Sequence, residues 1–316
     1  MKIKLYGVRG SCPTPISTED YRDNIKNLLE LAYSEWRSGS EKFSVDNFLS
    51  SNPSHYSSCV GGNTTCVSIT SDSGDQVIID CGTGIRQLGN DLLKSGFLKD
   101  KKDINIIMTH THWDHIQGWL FFKPAYIPGI KINFYSCIAN LKERLERQQH
   151  PECFPIALNV MASEKYFYTQ KVLEPFKIGS LDIVPFYLTH PGTCVGYKIS
   201  EREKTFLFCT DVEFNDTNIA YLSEIKPLLK GAKLIVMDAQ YNAEEARAKI
   251  GWGHTSVEFA VKGAEILESE ILALTHHEPD NSDAVIYKYY SDALKFVSGD
   301  GKLKVVVAKE GMSFEV

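Results

Sequence analysis

No stretch of the chain approaches the roughly 18 consecutive apolar residues of a membrane-spanning helix, so no span is expected. The opening MKIKLYGVRG lacks the apolar core of a secretory signal. No CxxC pair occurs among the cysteines, which stand at 12, 59, 66, 81, 137, 153, 194 and 209. A chain of 316 residues does not need disulfide staples. The cysteines read as reduced thiols of a cytoplasmic protein, most of them small core residues. Basic charge is not in excess. Lys and Arg number 34 against 40 Asp and Glu, for a net charge of −6 and a pI near 5.9. A protein that grips a long nucleic acid neutralises phosphates with a basic surface, and this balance argues against that role. Internal repeats and low-complexity tracts are also missing.

What is there is ordinary for a globular enzyme. Apolar residues make up 43% and charged residues 23%, which excludes a disordered or collagen-like chain. The length allows two domains or one large layered domain. We read one domain over 1–316, with a polar surface insertion at about 17–58. Within the insertion, TEDYRDNIKNLLELAYSEW has helical spacing. Strands are expected at KIKLYGV, CVSIT, QVIID, DINIIM, KINFY, SLDIVPFYL, CVGYKI and TFLFC. Pro185 in the sixth of these points to an edge or a bulge. A helix is expected near 138–149. Helices near 218–230, 256–268 and 283–297 then alternate with KLIVMD and ILAL, and two strands close the chain. Thr255 with Glu258 reads as a capping box for the second of those three helices. Strand-rich runs followed by βα units suggest an α/β protein, α+β by strand order, with helices covering its sheets.

The strongest chemical signal is His110-Thr111-His112-Trp113-Asp114-His115, directly after DINIIM. Residues i and i+2 of an extended segment point the same way, so His110 and His112 can grip one metal ion. Asp114 and His115, just beyond the strand, face a second. Histidine is only 9 of 316 residues, so a chance HxHxDH is rare. Further ligand types stand where strands end: His190 after SLDIVPFYLT, Asp211 after TFLFCT and His276 after ILALT. His254 lies in the turn GWGHT. Strand ends on one rim converge on one cleft.

These elements resemble the metallo-β-lactamase superfamily. With GVRGSCPTP, GGNTTC, IIDCGTGIRQLG and HTHWDHIQG they are similar to its phosphodiesterase branch, which includes cyclic-nucleotide phosphodiesterases and tRNA 3′-end endonucleases. The resemblance implies a four-layer αββα sandwich with two divalent metal ions at one rim. His110, His112 and His190 would hold one ion. Asp114, His115 and His276 would hold the other, and Asp211 would bridge them. Imidazole and carboxylate ligands without thiolate suit Zn²⁺, and also Mn²⁺ or Fe²⁺. Two such ions activate water and clamp the oxygens of an in-line displacement, with Asp114 orienting the nucleophile. His254 is the natural general acid for an alkoxide leaving group. The plainer role for it is packing of its turn. His276 rather than His277 is chosen as the ligand by analogy, and His277 is either a phosphate contact or a neighbour. Asp80 resembles the aspartate that orients a metal-bound imidazole. Asn63, in GGNTTC, is a candidate substrate contact, with a tight turn as the alternative. His55 and His150 read as surface residues. Tyr6 and Arg9, near the start of the chain, could face the cleft, and the sequence does not decide it.

The leading reading is a dinuclear metal-dependent phosphodiesterase acting on a small (cyclic) nucleotide or similar phosphodiester. The expected partner is a small phosphodiester, with no long nucleic acid and no membrane; a homodimer is allowed. A tRNA 3′-processing endonuclease is the first alternative. The interval from His190 to Asp211 leaves room for a strand hairpin and no tRNA-holding arm. A β-lactamase typically has Cys where this chain has Asp211, with Cys209 two residues away. A lactone or thioester hydrolase would use the same water, but the GHT histidine argues against it. A di-iron oxygen reductase usually carries Glu where His112 stands. A non-catalytic protein on the fold would have lost ligands, and all seven expected types are present.

Overall fold

Successive side chains of a strand point to opposite faces, and here both faces are apolar. The computed structural model describes residues 1–38, 43–51, 58–299 and 302–316. Its first sheet runs in the order β14 (Ser313–Glu315), β1 (Lys2–Gly7), β2 (Cys66–Thr70), β3 (Gln76–Ile79), β4 (Asp103–Met108), β5 (Lys131–Ser136), β6 (Glu164–Thr169). The second runs β13 (Lys304–Val307), β12 (Ile271–Thr275), β11 (Leu234–Asp238), β10 (Lys204–Cys209), β9 (Val195–Glu201), β8 (Leu181–Tyr187), β7 (Phe176–Ile178). Each sheet makes three antiparallel pairings and then three parallel ones. The two halves thus repeat a topology that their sequences do not repeat.

Three apolar layers hold the sheets and helices together. Ile3, Leu5, Val67, Ile79 and Ile107 of the first sheet meet Ile183, Tyr197, Phe206 and Val236 of the second. The outer face of the first sheet packs Ile78, Ile106 and Phe134 against Ile85, Leu88 and Trp119. The outer face of the second packs Leu207, Ile235 and Leu272 against Val257, Ala260 and Val261. The result is the αββα sandwich.

Trp119 is fully buried, lies edge-on to Phe134 at 5.1 Å, and donates its indole N–H to Gln149 Oε1 at 3.0 Å. We expect Trp119→Ala to cost about 3–5 kcal/mol, the usual penalty for emptying such a site. Urea unfolding checks this, and a loss under about 1 kcal/mol would contradict the packing.

Several local expectations need correction. The insertion carries two helices rather than one, Thr18–Arg37 and Val45–Ser51. Phe48 of the second is buried, which anchors it. The first has no buried residue; its half-buried positions include Asp20, Asn24, Asn27 and Leu28. Its apolar stripe of Tyr21, Ile25, Leu29 and Tyr33 faces outward, with Leu29 63% exposed. His55 lies outside the described residues. Ser256, not Thr255, caps helix Val257–Ile266, its Oγ accepting from Phe259 N–H. Thr255 instead exchanges two hydrogen bonds with the Phe214 backbone. Strand β8 is interior in the sheet order. Its neighbour β7 is so short that it pairs only with Leu181–Ile183, leaving Pro185 beyond its reach. Strands β6 and β7 were not anticipated, because β6 is an edge strand whose charged and aromatic residues are mostly half-exposed or exposed.

Candidate metal centre

The parallel strands end on one rim, and the site is built there. His110 and the turn Trp113–Ile116 follow β4, His190 follows β8, Asp211 follows β10, Asp238 ends β11 and His276 follows β12. The structure brings together two groups of ligand atoms that share Asp211. One is His110, His112, His190 and Asp211; the other is Asp114, His115, His276 and Asp211. Within each group the ligand atoms lie within 4.8 Å of one another. The second group is buried throughout, while His112 is exposed and opens the first to solvent.

Three residues of the site hold left-handed backbone: Asp80 at φ 59°, Asp211 at φ 60° and His276 at φ 60°. Non-glycine residues adopt this region at a cost of about 1–3 kcal/mol, and such strain concentrates at functional sites. Each lies just beyond a strand end. The reversal turns the side chain onto the rim.

Hydrogen bonds set the tautomers. His115 Nδ1 donates to Asp80 Oδ2 at 2.7 Å, leaving Nε2 facing Asp211 Oδ1 at 3.0 Å. His110 Nδ1 donates to Thr109 Oγ1 at 3.0 Å, and that hydroxyl donates to Asp80 Oδ2 at 2.7 Å. Asp80 therefore orients two imidazoles. His190 Nδ1 donates to the Gly253 carbonyl at 2.8 Å, and its Nε2 stands 2.9 Å from His112 Nδ1. His276 Nδ1 donates to Gln240 Oε1 at 3.2 Å, and its Nε2 lies 3.0 Å from Asp114 Oδ2.

This arrangement fits divalent cations. His110 Nε2 and His115 Nε2 are buried without a hydrogen-bond partner. Two buried carboxylates and several imidazole lone pairs converge on the same space, which is unfavourable without positive charge. The titration behaviour says the same. Burial disfavours charge on His276, yet Asp211 and Asp114 outweigh it and lift its pKa to about 9. Burial is likewise overcome at Asp211, where His115, His276 and His110 hold the carboxyl well below its usual range. At His110 burial wins, aided by His115, and keeps the ring neutral with its pKa far below normal. A neutral imidazole is the form that ligates a metal. Among the described residues no cysteine is in either ligand group; Cys194 Sγ lies behind them, 3.7 Å from His110 Nδ1 and 3.6 Å from the Asp211 carbonyl. Cys209 packs into the outer apolar layer of the second sheet.

His254 stands beside the second group. Its Nδ1 donates to Asp238 Oδ2 at 2.7 Å, and its ring stacks on His276 with centroids 4.8 Å apart. Asp238 Oδ1 accepts from the Gln240 and Thr255 amides at 3.2 Å each, which fixes the carboxylate. Gly253 lets this turn pass close to His190. It has φ +89°, and a Cβ there would lie 2.1 Å from His190 Nδ1. Asp114 is held by the Ser11 amide, which donates to Oδ2 at 2.9 Å.

Two expected substrate contacts are not in the site. Asn63 gives both its backbone amide and its side-chain amide to Glu310, so it locks a turn. His277 is buried, with its ring 3.0 Å from the Ala308 carbonyl, and burial pushes its pKa down to about 3. Arg9 does not face the cleft. Its guanidinium donates to the Gly61, Glu278 and Asn281 carbonyls and pairs with Asp283 at 3.2 Å. Tyr6 donates to Asp91. His150 is exposed. Conversely, Asp238, Gln240, Thr109 and Glu213 were missed. Asp238 had a signal, since KLIVMD ends on a carboxylate as TFLFCTD does.

Comparison with known proteins agrees with this geometry. No curated protein matches the sequence. Among solved structures, the metallo-β-lactamase fold protein YhfI from Bacillus subtilis is similar with a TM-score of 0.64 at 15% identity, covering 99% of this chain and 98% of that one. Yeast PDE1 is similar with a TM-score of 0.61 at 14% identity, covering 99% of this chain and 98% of that one. The short form of human tRNase Z has a TM-score of 0.58 at 14% identity, covering 100% of this chain and 99% of that one. The model of the beta-lactamase superfamily domain matches residues 75–277, more than half of the chain, and the protein belongs to that superfamily.

Proposed function

We propose that the protein is a metal-dependent phosphodiesterase acting on a small phosphodiester. The observation that carries this reading is the pairing of His254 with Asp238 beside the two ligand groups. Water activation alone serves any hydrolysis, but an added proton donor serves a leaving group of high pKa.

His110, His112 and His190 would hold one divalent ion, Asp114, His115 and His276 the other, with Asp211 between them. Zn²⁺ suits this ligand set best, with Mn²⁺ or Fe²⁺ as alternatives. When bound, such ions supply Lewis acidity, lowering the pKa of water and neutralising phosphoryl charge. The chain's own residues do the rest. Asp114, anchored by the Ser11 amide, orients the attacking water. Asp238 accepts a hydrogen bond from Nδ1–H of His254, so Nε2 is the nitrogen available to deliver a proton. His112, on the exposed side, leaves the substrate a way in.

The tRNA-processing alternative shares the fold, as human tRNase Z shows for itself. Here His190 and Asp211 are joined by the β9–β10 hairpin alone, which offers no arm for a long RNA. Among the described residues no helix is long and apolar enough to cross a membrane.

The test uses protein of measured metal content. Saturation with Zn²⁺ or Mn²⁺ is expected to give close to two ions per chain, and bis(4-nitrophenyl) phosphate is expected to be hydrolysed. A protein that turns over a lactone but neither this ester nor a cyclic nucleotide is an acyl hydrolase, and the reading is wrong.

A further inference from the structure

His254 belongs to two places at once. One side of its ring stacks on His276, within the metal centre. It also lines a separate pocket of about 340 Å³, between the loop after β10 and helices Ala243–Ala248 and Val257–Ile266. That volume is in the range of small-molecule sites, at the low end of about 300–1,000 Å³.

We infer that this pocket is the leaving-group subsite, and that it takes an uncharged, largely apolar alcohol no larger than a nucleoside. The inference rests on the phosphodiesterase reading. Hydrolysis adds the oxygen of one water to phosphorus and breaks the bond to the departing alcohol. The departing oxygen takes a proton from His254, and the proton lost by water restores the ring. A proton donor must be within hydrogen-bond reach of the oxygen it serves. The body of the leaving alcohol therefore lies on the donor's open side, which is this pocket.

The walls define the occupant. Ile250, Phe259, Phe214 and Ala246 form an apolar lining. The charged residues there are Glu213, Asp216, Glu258 and a single cation, Arg247. Glu213 is already engaged, its Oε2 accepting from the Gly251 and Gly253 amides at 2.8 and 3.0 Å. Asp216 lies 3.8 Å from Lys262. The lining therefore carries no excess of cations with which to hold a second phosphate. A polynucleotide leaving group carries such phosphates, whereas a nucleoside or aryl alcohol does not.

Ile250 is 68% exposed, so replacing it leaves the fold intact. Two esters share a retained methyl group: methyl 4-nitrophenyl phosphate, and its analogue with a carboxylate on the leaving ring. The natural protein is expected to prefer the first. Ile250→Asp should raise its KM roughly tenfold, the usual worth of a lost apolar contact, with kcat within about twofold. Ile250→Lys should shift preference toward the carboxylated ester. A second readout needs no turnover: 4-nitrophenol titrated into the protein without added metal and followed by NMR. Binding roughly tenfold weaker in Ile250→Asp supports the subsite. Equal binding and equal KM in the natural protein and both variants overturn it. If 4-nitrophenol binds as expected but neither ester is cleaved by metal-loaded protein, the phosphodiesterase reading fails and the pocket remains an apolar alcohol site.

Discussion

Protein carrying Asp211→Ala is expected to lose both metal ions and to fall to background hydrolysis. The carboxylate is buried and sends Oδ1 toward His115 and His276, at 3.0 and 3.2 Å, and Oδ2 toward His110 and His190, at 3.6 and 3.8 Å. Among the described residues it joins the group of His110, His112 and His190 to that of Asp114, His115 and His276. Removing it deprives each set of a charge as well as a ligand, and a low-dielectric site amplifies that loss. Asp211→Asn keeps the shape and removes the charge. It is expected to lose metal nearly as severely. His110→Ala, by contrast, should mainly empty one site. Elemental analysis of the three variants decides the matter. Two ions retained in Asp211→Asn would show that the carboxylate does not bridge.

His254→Ala is expected to keep the fold and both ions while lowering kcat by about 10²–10⁴-fold on a substrate with an alkoxide leaving group, the usual contribution of a general acid. The ring clusters with Asp238 and His276 but lies outside both groups that share Asp211, and metal content is expected to be unchanged. The defect should shrink when the leaving group is 4-nitrophenolate, which departs readily without a proton. A residue that merely positions substrate would slow both esters alike. Equal losses on both, with metals intact, would remove His254 from the proton-donor role. Asp238→Asn should reproduce the same leaving-group contrast in milder form, because it acts through the ring it holds.

Much of the site was legible before the fold was known. His110 and His112 share a face through extended-chain geometry alone, and apolar runs ending in His or Asp marked the rim. These are short-range signals: side-chain periodicity and the end of a buried strand depend on near neighbours. The layered sandwich was legible for the same reason, since strands apolar on both faces require cover on both. The helix cap at Ser256 was misread by one residue. The pattern around it satisfies two registers, and a hydrogen bond from Phe214, distant in the chain, selected between them.

The rest depended on contacts between distant segments. Asn63 looked free to meet a substrate until Glu310, 247 residues away, took both its amides. His254 acquired its partner because β11 delivers Asp238 to the same rim. The adjacent pair His276 and His277 shows the division most directly. By pattern alone they differ only in order. In the fold, the left-handed backbone of His276 sends that ring into the ligand group, while His277 turns inward to the Ala308 carbonyl. Sequence by itself determined which residue types arrive at the rim, because strand ends and alternation are local. Which of them face the metal centre was decided by the tertiary structure, because a strained backbone angle persists only where surrounding contacts enforce it.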